Sequence, residues 1–373
     1  MTVDKIKYKG FRNIEDQTVS FDNGVNILYG ENAQGKTNAL EGIYLFAHGK
    51  SFRTQNDRDM VSFNAHNTSL EMVYDEDGRK RELSFELFKT KRRACKISKA
   101  PARISEIIGL FRAVLFCPDH LSVVKDGPAV RRSFINGAIC QLKPVYLKSL
   151  QRYNHILEQR NALIKQSQEN PNKYKGVIDI YSAELAREAA YIYSVRRDYI
   201  SKLSEYVSIF FDEMSKGENV TFRYKNSLKD YAGDDIDEIS ESYTELFSAD
   251  REREIALGTT LHGVHRDDIE IYLGGKEARL YASQGQQRSI ALAMKLAEGE
   301  ISKNETGKYP VFLFDDVLSE LDKSRQKFVL DKLLGRQVII TSCDISGFND
   351  EMLENAKLIN VKNGVYADCR KED

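Results

Sequence analysis

The chain has no run of about 18 consecutive apolar residues, so no membrane-crossing helix is expected. No apolar core or cleavage site stands near residue 1, so no export signal is expected either. The five cysteines (Cys95, Cys117, Cys140, Cys343, Cys369) are odd in number, scattered and never in C-x-x-C spacing. That argues against a disulfide framework and a zinc site, and for reduced thiols in the cytoplasm. Charge of one sign is also missing: 55 Lys and Arg stand against 56 Asp and Glu, a net of −1. A globally basic nucleic-acid coat is excluded, and any contact with a polyanion needs a local patch. Internal repeats, low-complexity tracts and any recognisable Ser-His-Asp or Cys-His spacing are absent as well.

What is present is ordinary globular composition, 41% apolar and 30% charged over 373 residues, enough for two or three domains or one with a large insertion. Residues 3–8 and 18–21 alternate as strands, and 24–29 reads as a buried strand running into a helix over 36–48. Residues 69–74, 82–88 and 92–97 read as an antiparallel meander turning at 75–78, and 112–116 as a short strand stopped by Pro118. In the middle, apolar residues recur every three or four positions from Tyr146 to Ile164 and again from Ile178 to Phe210. Two antiparallel helices fit, joined by a turn at 169–173, each no longer than about 40 residues or ~60 Å. Their stripes are helix–helix core. Strand–helix alternation returns from Ile269, with buried strands at 310–314 and 337–341.

Gly30-Glu31-Asn32-Ala33-Gln34-Gly35-Lys36-Thr37 matches G-x-x-x-x-G-K-[ST] and lies between a strand and a helix. The glycines let backbone N–H groups face phosphate oxygens and the helix start adds positive potential. Lys36 reaches the outer phosphates and Thr37 offers a hydroxyl to Mg²⁺. The apolar strand ending in Asp315-Asp316 suits a nucleotide's metal and water: Asp315 as the anion supporting Mg²⁺, Asp316 as the base for the attacking water. Ser283-Gln284-Gly285-Gln286 before a helix through Glu300 is a second anion-binding helix start, and Leu318-Ser319-Glu320-Leu321-Asp322 follows the acidic strand.

These segments, in this order, resemble the ATP-binding-cassette superfamily of ATPases, and within it the RecF family of bacterial recombination mediators over nearly the whole chain. Supporting residues are Phe11-Arg12-Asn13, Gly49-Lys50-Ser51-Phe52-Arg53-Thr54, Phe116-Cys117-Pro118-Asp119-His120-Leu121, Arg131-Arg132, Gln159-Arg160-Asn161 and His265-Arg266-Asp267-Asp268. The resemblance implies an α/β fold: an ABC-type P-loop ATPase head of mixed sheet and flanking helices, with an inserted helical arm. The expected divisions are 1–120 and 251–373 for the head and 121–250 for the arm. It implies ATP and Mg²⁺ as cofactors, with Lys36, Asp315 and Asp316 catalytic. Residues 30–37, Arg12 and Asn13 would lie at the nucleotide, and Ser283, Gly285 and Gln286 at the γ-phosphate held by a second copy. ATP would then drive homodimerisation and hydrolysis would reverse it. Single-stranded, gapped or duplex DNA, with RecR, RecO and RecA, are the implied partners, in repair, replication and the SOS response. Asp316 stands where transport-type cassettes carry Glu, so slow hydrolysis is expected. No Gln follows Phe116, and Ser342-Cys343-Asp344 replaces the usual His after the 337–341 strand. A transporter ATPase subunit, a metabolic P-loop kinase and another SMC-like repair ATPase are the alternatives.

Residues 79–99 hold nine basic and two acidic side chains, a local balance of +7. A hairpin projecting these charges from one tip is a candidate DNA-phosphate contact, with Lys91, Arg92 and Arg93 at its centre and Arg53 as a further contact. Few aromatics interleave, so base stacking is not expected. His262-Gly-Val-His265 near Asp267 and Asp268 has zinc-like spacing but reads as a structural loop in the resembled family.

Overall fold

The computed structural model describes residues 1–169, 174–215, 217–229, 233–348 and 350–369. The chain divides into two compact units. The first is Met1–Ser122, Phe210–Lys216 and Gln284–Asp373; the second is Val123–Ile209 and Gly217–Ser283.

The first unit holds two six-stranded sheets. One is antiparallel, in the order Ile14–Ser20, Thr2–Phe11, Asn67–Glu76, Arg79–Phe88, Ala94–Ile97, Ala100–Ala102. Alternation puts Val3, Ile6, Tyr8, Leu70, Met72, Phe85 and Leu87 on one buried face. The expected turn after Asp75 closes in two residues: Asp77 and Gly78 take φ of 58° and 75°, the left-handed pair of a tight hairpin. The other sheet is mostly parallel, in the order Val365–Asp368, Lys357–Lys362, Val25–Tyr29, Val338–Ser342, Val311–Asp315, Ala113–Phe116. Its strands read as unbroken apolar runs because both faces are covered: Val311 to Phe314 are fully buried. Helix Lys36–His48 packs against the antiparallel sheet through Gly42, where an added Cβ would lie 2.4 Å from the Tyr8 ring. The Tyr8 hydroxyl donates to the Ala39 carbonyl at 2.6 Å.

The second unit contains helices Pro128–Leu142, Pro144–Gln166, most of Lys175–Met214, Ile236–Ala249 and Arg251–Leu257, with a three-stranded sheet. The two long helices are antiparallel, because their partners run in opposite order. Tyr146 meets Arg196, Arg152 meets Glu188 and Arg160 meets Ser182. Of the turn expected at 169–173, residues 170–173 lie outside the described part. The arm boundary expected at 250 falls inside this unit, which runs to Ser283. The cause is strand pairing: Val220–Lys225 runs antiparallel to Asp268–Leu273, tying residues on both sides of 250 together.

Three of the segments that carry the family resemblance, at 131–132, 159–161 and 265–268, lie in this unit and supply much of its polar core. Arg160 is fully buried and donates to Ser182 Oγ at 2.9 Å, Thr260 Oγ1 at 2.7 Å and Glu254 Oε2 at 2.6 Å. Asn161 accepts from the Thr260 amide at 2.8 Å. Arg131 pairs with Asp268 through two 2.8 Å bonds, and Arg132 donates to the Asp267 carbonyl at 2.7 Å. His265 Nδ1 lies 2.6 Å from the Tyr153 hydroxyl, and His262 pairs with Asp250. The two histidines have different partners, and no group suited to hold a metal through three His, Cys, Asp or Glu occurs among the described residues.

Candidate nucleotide site

The phosphate-loop strand Val25–Tyr29 lies in the middle of the mostly parallel sheet, with Val338–Ser342 between it and the acidic strand Val311–Asp315. After it the backbone bends through Gly30, Ala33 and Gly35 at φ of 150°, 63° and 116°, and Gly35 caps helix Lys36–His48. Glycine is required at Gly30 because a Cβ would meet the Val361 carbonyl oxygen at 2.3 Å. Lys36 Nζ donates to the carbonyls of Gly30 and Glu31 at 2.6 and 2.8 Å, so its ammonium sits inside the loop. Neighbouring segments brace the loop. Asn13 donates to the Gln34 carbonyl at 3.2 Å, the Gly364 amide to that same carbonyl at 2.8 Å, and Tyr366 to the Gly35 carbonyl at 2.8 Å. Cys343, where a His is usual, lies 3.0 Å from Asn32 Oδ1.

Strand register brings the acidic side chain to the loop. Thr341 pairs with both Asp315 and Leu28 on the flanking strands. Its hydroxyl donates to Asp315 Oδ1 at 3.0 Å, and Thr37 Oγ1 donates to the same oxygen at 2.8 Å. Asp315 is buried, which pushes its carboxyl pKa up, while the two hydroxyls pull it back toward the ionised form. Asp316 follows at φ 54°; its amide donates to Thr341 Oγ1 at 3.0 Å and Ser319 donates to its carbonyl at 2.7 Å. Thr341, unremarkable in a buried apolar strand, is thus a hub for both aspartates that sequence reasoning missed.

A second missed residue is Glu41, fully buried on helix Lys36–His48. Arg12 grips it with two bonds of 2.9 and 2.6 Å and donates a third to the Asp59 carbonyl at 2.6 Å. Ser51 donates to Glu41 at 2.5 Å and accepts from the Arg53 and Thr54 amides. Arg53 lies 3.5 Å from Glu41 and donates to Asn38 Oδ1 at 2.7 Å; Asn38 in turn donates to Asn13. Phe11-Arg12-Asn13 and Ser51-Phe52-Arg53-Thr54 are therefore drawn to one helix by one carboxylate. A glutamate among Ala39, Leu40 and Ile43 was the available signal.

The Ser283 segment is built differently. Ser283 is exposed immediately before helix Gln284–Thr306. Arg325 donates to Ser289 Oγ at 2.8 Å, reaches the Gly285 carbonyl at 3.5 Å and pairs with Asp322. Arg288 lies 3.7 Å from Glu320. The 318–322 loop is thereby clamped to the first turns of this helix, leaving Gly285 and Gln286 half-buried.

The basic stretch does not gather at one tip. Arg79–Phe88 is a ten-residue strand, ~30 Å long, so the charges divide between its ends. At one end Lys80 pairs with Asp4 at 2.8 Å and Arg81 with Glu76 at 3.0 Å. At the other, Lys91 and Arg92 are exposed, but Arg93 is not an outward contact. It pairs with Asp57 and donates to the Gly49 carbonyl at 2.6 Å, because the strand start at Ala94 turns it inward.

The family described as RecF/RecN/SMC N terminal domain matches residues 2–367. The DNA replication and repair protein RecF of Geobacillus thermodenitrificans is 39% identical over 369 residues, covering 98% of this chain and 99% of that one. Its counterpart in Clostridioides difficile is 36% identical over 366 residues, covering 98% and 97%. The chain belongs to the RecF family. A solved structure of the recombination mediator protein RecF-ATPrS in the RecFOR pathway has a TM-score of 0.92 at 32% identity, covering 98% of both chains. An Smc head domain from Pyrococcus furiosus, at TM-score 0.55 and 19% identity, shares the fold alone. The RecF-family chain is thus a DNA replication and repair protein on an SMC-type head, and the transporter-subunit and kinase readings fall away. Among the described residues no helix is long and apolar enough to cross a membrane.

Proposed function

We propose that this chain is an ATP-gated DNA clamp: it binds ATP at residues 30–37, dimerises on it, and hydrolyses it slowly while on DNA. The observation that carries the reading is the shared oxygen cluster at the strand end and helix start, with Thr37 and Thr341 both donating to Asp315 and the neighbouring Lys36 turning its ammonium into the phosphate loop. Such a set of hard oxygens suits Mg²⁺, which keeps several waters and takes few protein ligands. Thr37 and Asp315 would hold it, and when bound it neutralises charge on the β- and γ-phosphates. Lys36 binds and orients those phosphates. Asp316, fixed through its amide on Thr341, accepts the proton of the attacking water. Its side chain is one methylene shorter than the Glu of transport-type cassettes, which supports slow turnover. The exposed Ser283, with Gly285 and Gln286 on the clamped helix start, binds the γ-phosphate held by a second copy. Arg12 and Asn13 order the loop's flank. The DNA is single-stranded, gapped or duplex, reached through Lys91 and Arg92 with Arg53 as a weaker candidate. RecR, RecO and RecA are the partners, in the cytoplasm, in repair and the SOS response.

The test is sedimentation with ATP. Lys36→Met should bind no ATP and stay monomeric. Ser283→Arg should bind ATP yet fail to dimerise or hydrolyse. Asp316→Asn should hydrolyse at least ~100-fold more slowly and persist as the ATP dimer on DNA. Normal ATP-driven dimerisation by Ser283→Arg would refute the clamp.

A further inference from the structure

Phe63 is the most exposed of the large apolar side chains described, 98% accessible. A lone exposed hydrophobic carries no meaning by itself; its surroundings here do. Phe63 stands in a tight turn in which the Ala65 amide bonds the Ser62 carbonyl at 3.1 Å. The turn is anchored before and after its apex. The Ser62 amide donates to Gly10 at 2.9 Å, Val61 bridges Phe11, and the Lys89 amide donates to the His66 carbonyl. Lys89 Nζ also donates to the Phe63 carbonyl at 2.9 Å, which brings the basic end of the long strand to the aromatic. Lys91 lies beside it in sequence with its ammonium 3.8 Å over the Phe88 ring, and Arg92 is exposed with no partner among the described residues. Residues 61–67 contain no carboxylate. The nearby acids are engaged, Glu86 by Asn67 at 2.8 Å and Asp57 by Arg93. The sequence hid this pairing because some 25 residues separate Phe63 from the cations it joins.

An aromatic face on a tight turn, with Lys89 bonded to its backbone and Lys91 and Arg92 two and three residues further along the chain, matches what a single strand presents: flat apolar bases strung on phosphates. A closed duplex offers only the phosphates, because its bases are already stacked on each other. We propose that Phe63 is a base-stacking contact for an unpaired nucleotide of single-stranded or gapped DNA, whose phosphates lie on Lys89, Lys91 and Arg92. The proposal rests on the DNA-binding reading above and names the structural feature that this face selects. Lys89 retains two further N–H donors for phosphate beyond the one spent on Phe63.

The test compares the parent protein, Phe63→Ala, Phe63→Trp and the pair Lys91→Gln/Arg92→Gln with ATP present. The probes are a gapped duplex carrying 2-aminopurine in the gap and a blunt duplex of equal length. Phe63→Ala should weaken binding to the gapped probe by about 5- to 100-fold, the worth of one base–aromatic stack. It should leave blunt-duplex affinity and the salt slope as in the parent, abolish the change in 2-aminopurine fluorescence, and be rescued by Phe63→Trp. The charge pair should instead flatten the log–log salt slope on the gap by about 0.7 per cation removed. Parental affinity of Phe63→Ala for the gap, or equal loss on both probes, overturns the proposal. So does loss of self-association without loss of gap binding, which would make the ring a protein contact. If the parent binds neither probe, the DNA reading itself fails, an outcome distinct from failure of Phe63 alone.

Discussion

The two units solve the same problem, holding a fold together around charged groups, in different ways. In the first, the core is two apolar-faced sheets with a few buried charges set beside them: Lys36, Asp315 and the Glu41 cluster on or against the helix that follows the phosphate loop, and the Lys295–Glu298 pair on helix Gln284–Thr306. In the second, a network of buried charge runs through the apolar core. Arg160 and Glu254 are both buried, and Arg196 reaches the Val264 carbonyl at 2.6 Å, Tyr146 at 3.0 Å and Asp267 at 3.5 Å. Buried pairs stabilise little by formation, but breaking one leaves an uncompensated charge. The comparison teaches that residues shared with a family need not be at its chemistry. Arg131, Arg160 and Asp267 are bound into the second unit's interior, whereas Lys36 and Asp315 belong to the proposed nucleotide site.

The sharpest break of that comparison is Glu254→Ala. It strands the Arg160 guanidinium, and also removes the acceptor of the Leu261 amide at 2.8 Å. The expected loss is about 3–5 kcal/mol, read as a drop in urea midpoint, with no intrinsic defect in nucleotide affinity in the protein that remains folded. Weaker ATP binding by the folded fraction would show that the second unit's core reaches the nucleotide chemistry.

Glu41→Ala is the counterpart in the first unit and should cost about 3 kcal/mol. Arg12 is partly exposed and can turn to water, so the loss is below that of Glu254→Ala. Here ATP affinity should fall too, because Asn38 and Arg53 lose their anchor beside the loop. Unchanged nucleotide affinity with the full stability loss would make Glu41 scaffold like Glu254.

The difference between the units also explains what was legible in the sequence. The phosphate loop, its helix and the acidic strand were readable because their chemistry is written in contiguous residues with fixed spacing. The long helices were readable from their stripes. Thr341, Glu41 and the Arg160 cluster were not, because each acts through partners 10 to 100 positions away that only strand register and helix packing bring together. The basic stretch was misread as one tip for the same reason: a ten-residue strand separates charges that are close in sequence.

A smaller effect tests the first unit's apolar packing. Gly42→Ala should gain about 1 kcal/mol of helix propensity. Its Cβ would lie 2.4 Å from a fully buried Tyr8 ring whose hydroxyl is held by Ala39. Overpacking of that kind costs ~1–3 kcal/mol, so a net loss of about 1 kcal/mol is expected. A thermal midpoint equal to or above the parent's would mean that the ring gives way freely.

The effect smallest in the parent itself is a pH dependence in the second unit, where two neighbours pull in opposite directions. Burial, with Arg266, Arg132 and Arg160 nearby, holds His265 at about 4. The unfolded chain takes up that proton near 6.5, so between these values it binds a proton the folded chain does not. Stability from this group is therefore present above 6.5 and is lost as pH falls toward 4. Asp267 behaves in reverse. Burial raises it to about 6 despite Arg196, so between about 4 and 6 the folded chain holds the extra proton and stability rises as pH falls. The two effects offset each other in the parent. His265→Asn, which keeps a polar group toward the Tyr153 hydroxyl, should leave only the Asp267 term. From pH 6 to 4.5 its urea midpoint should rise relative to the parent's by the equivalent of about 1.4 kcal/mol per pH unit, one proton's worth. Asp267→Asn should shift the slope by a similar amount in the opposite sense. Parallel pH profiles for parent and His265→Asn would mean that the imidazole is charged in the folded core, and that the buried arginines of this unit are screened far better than their packing implies.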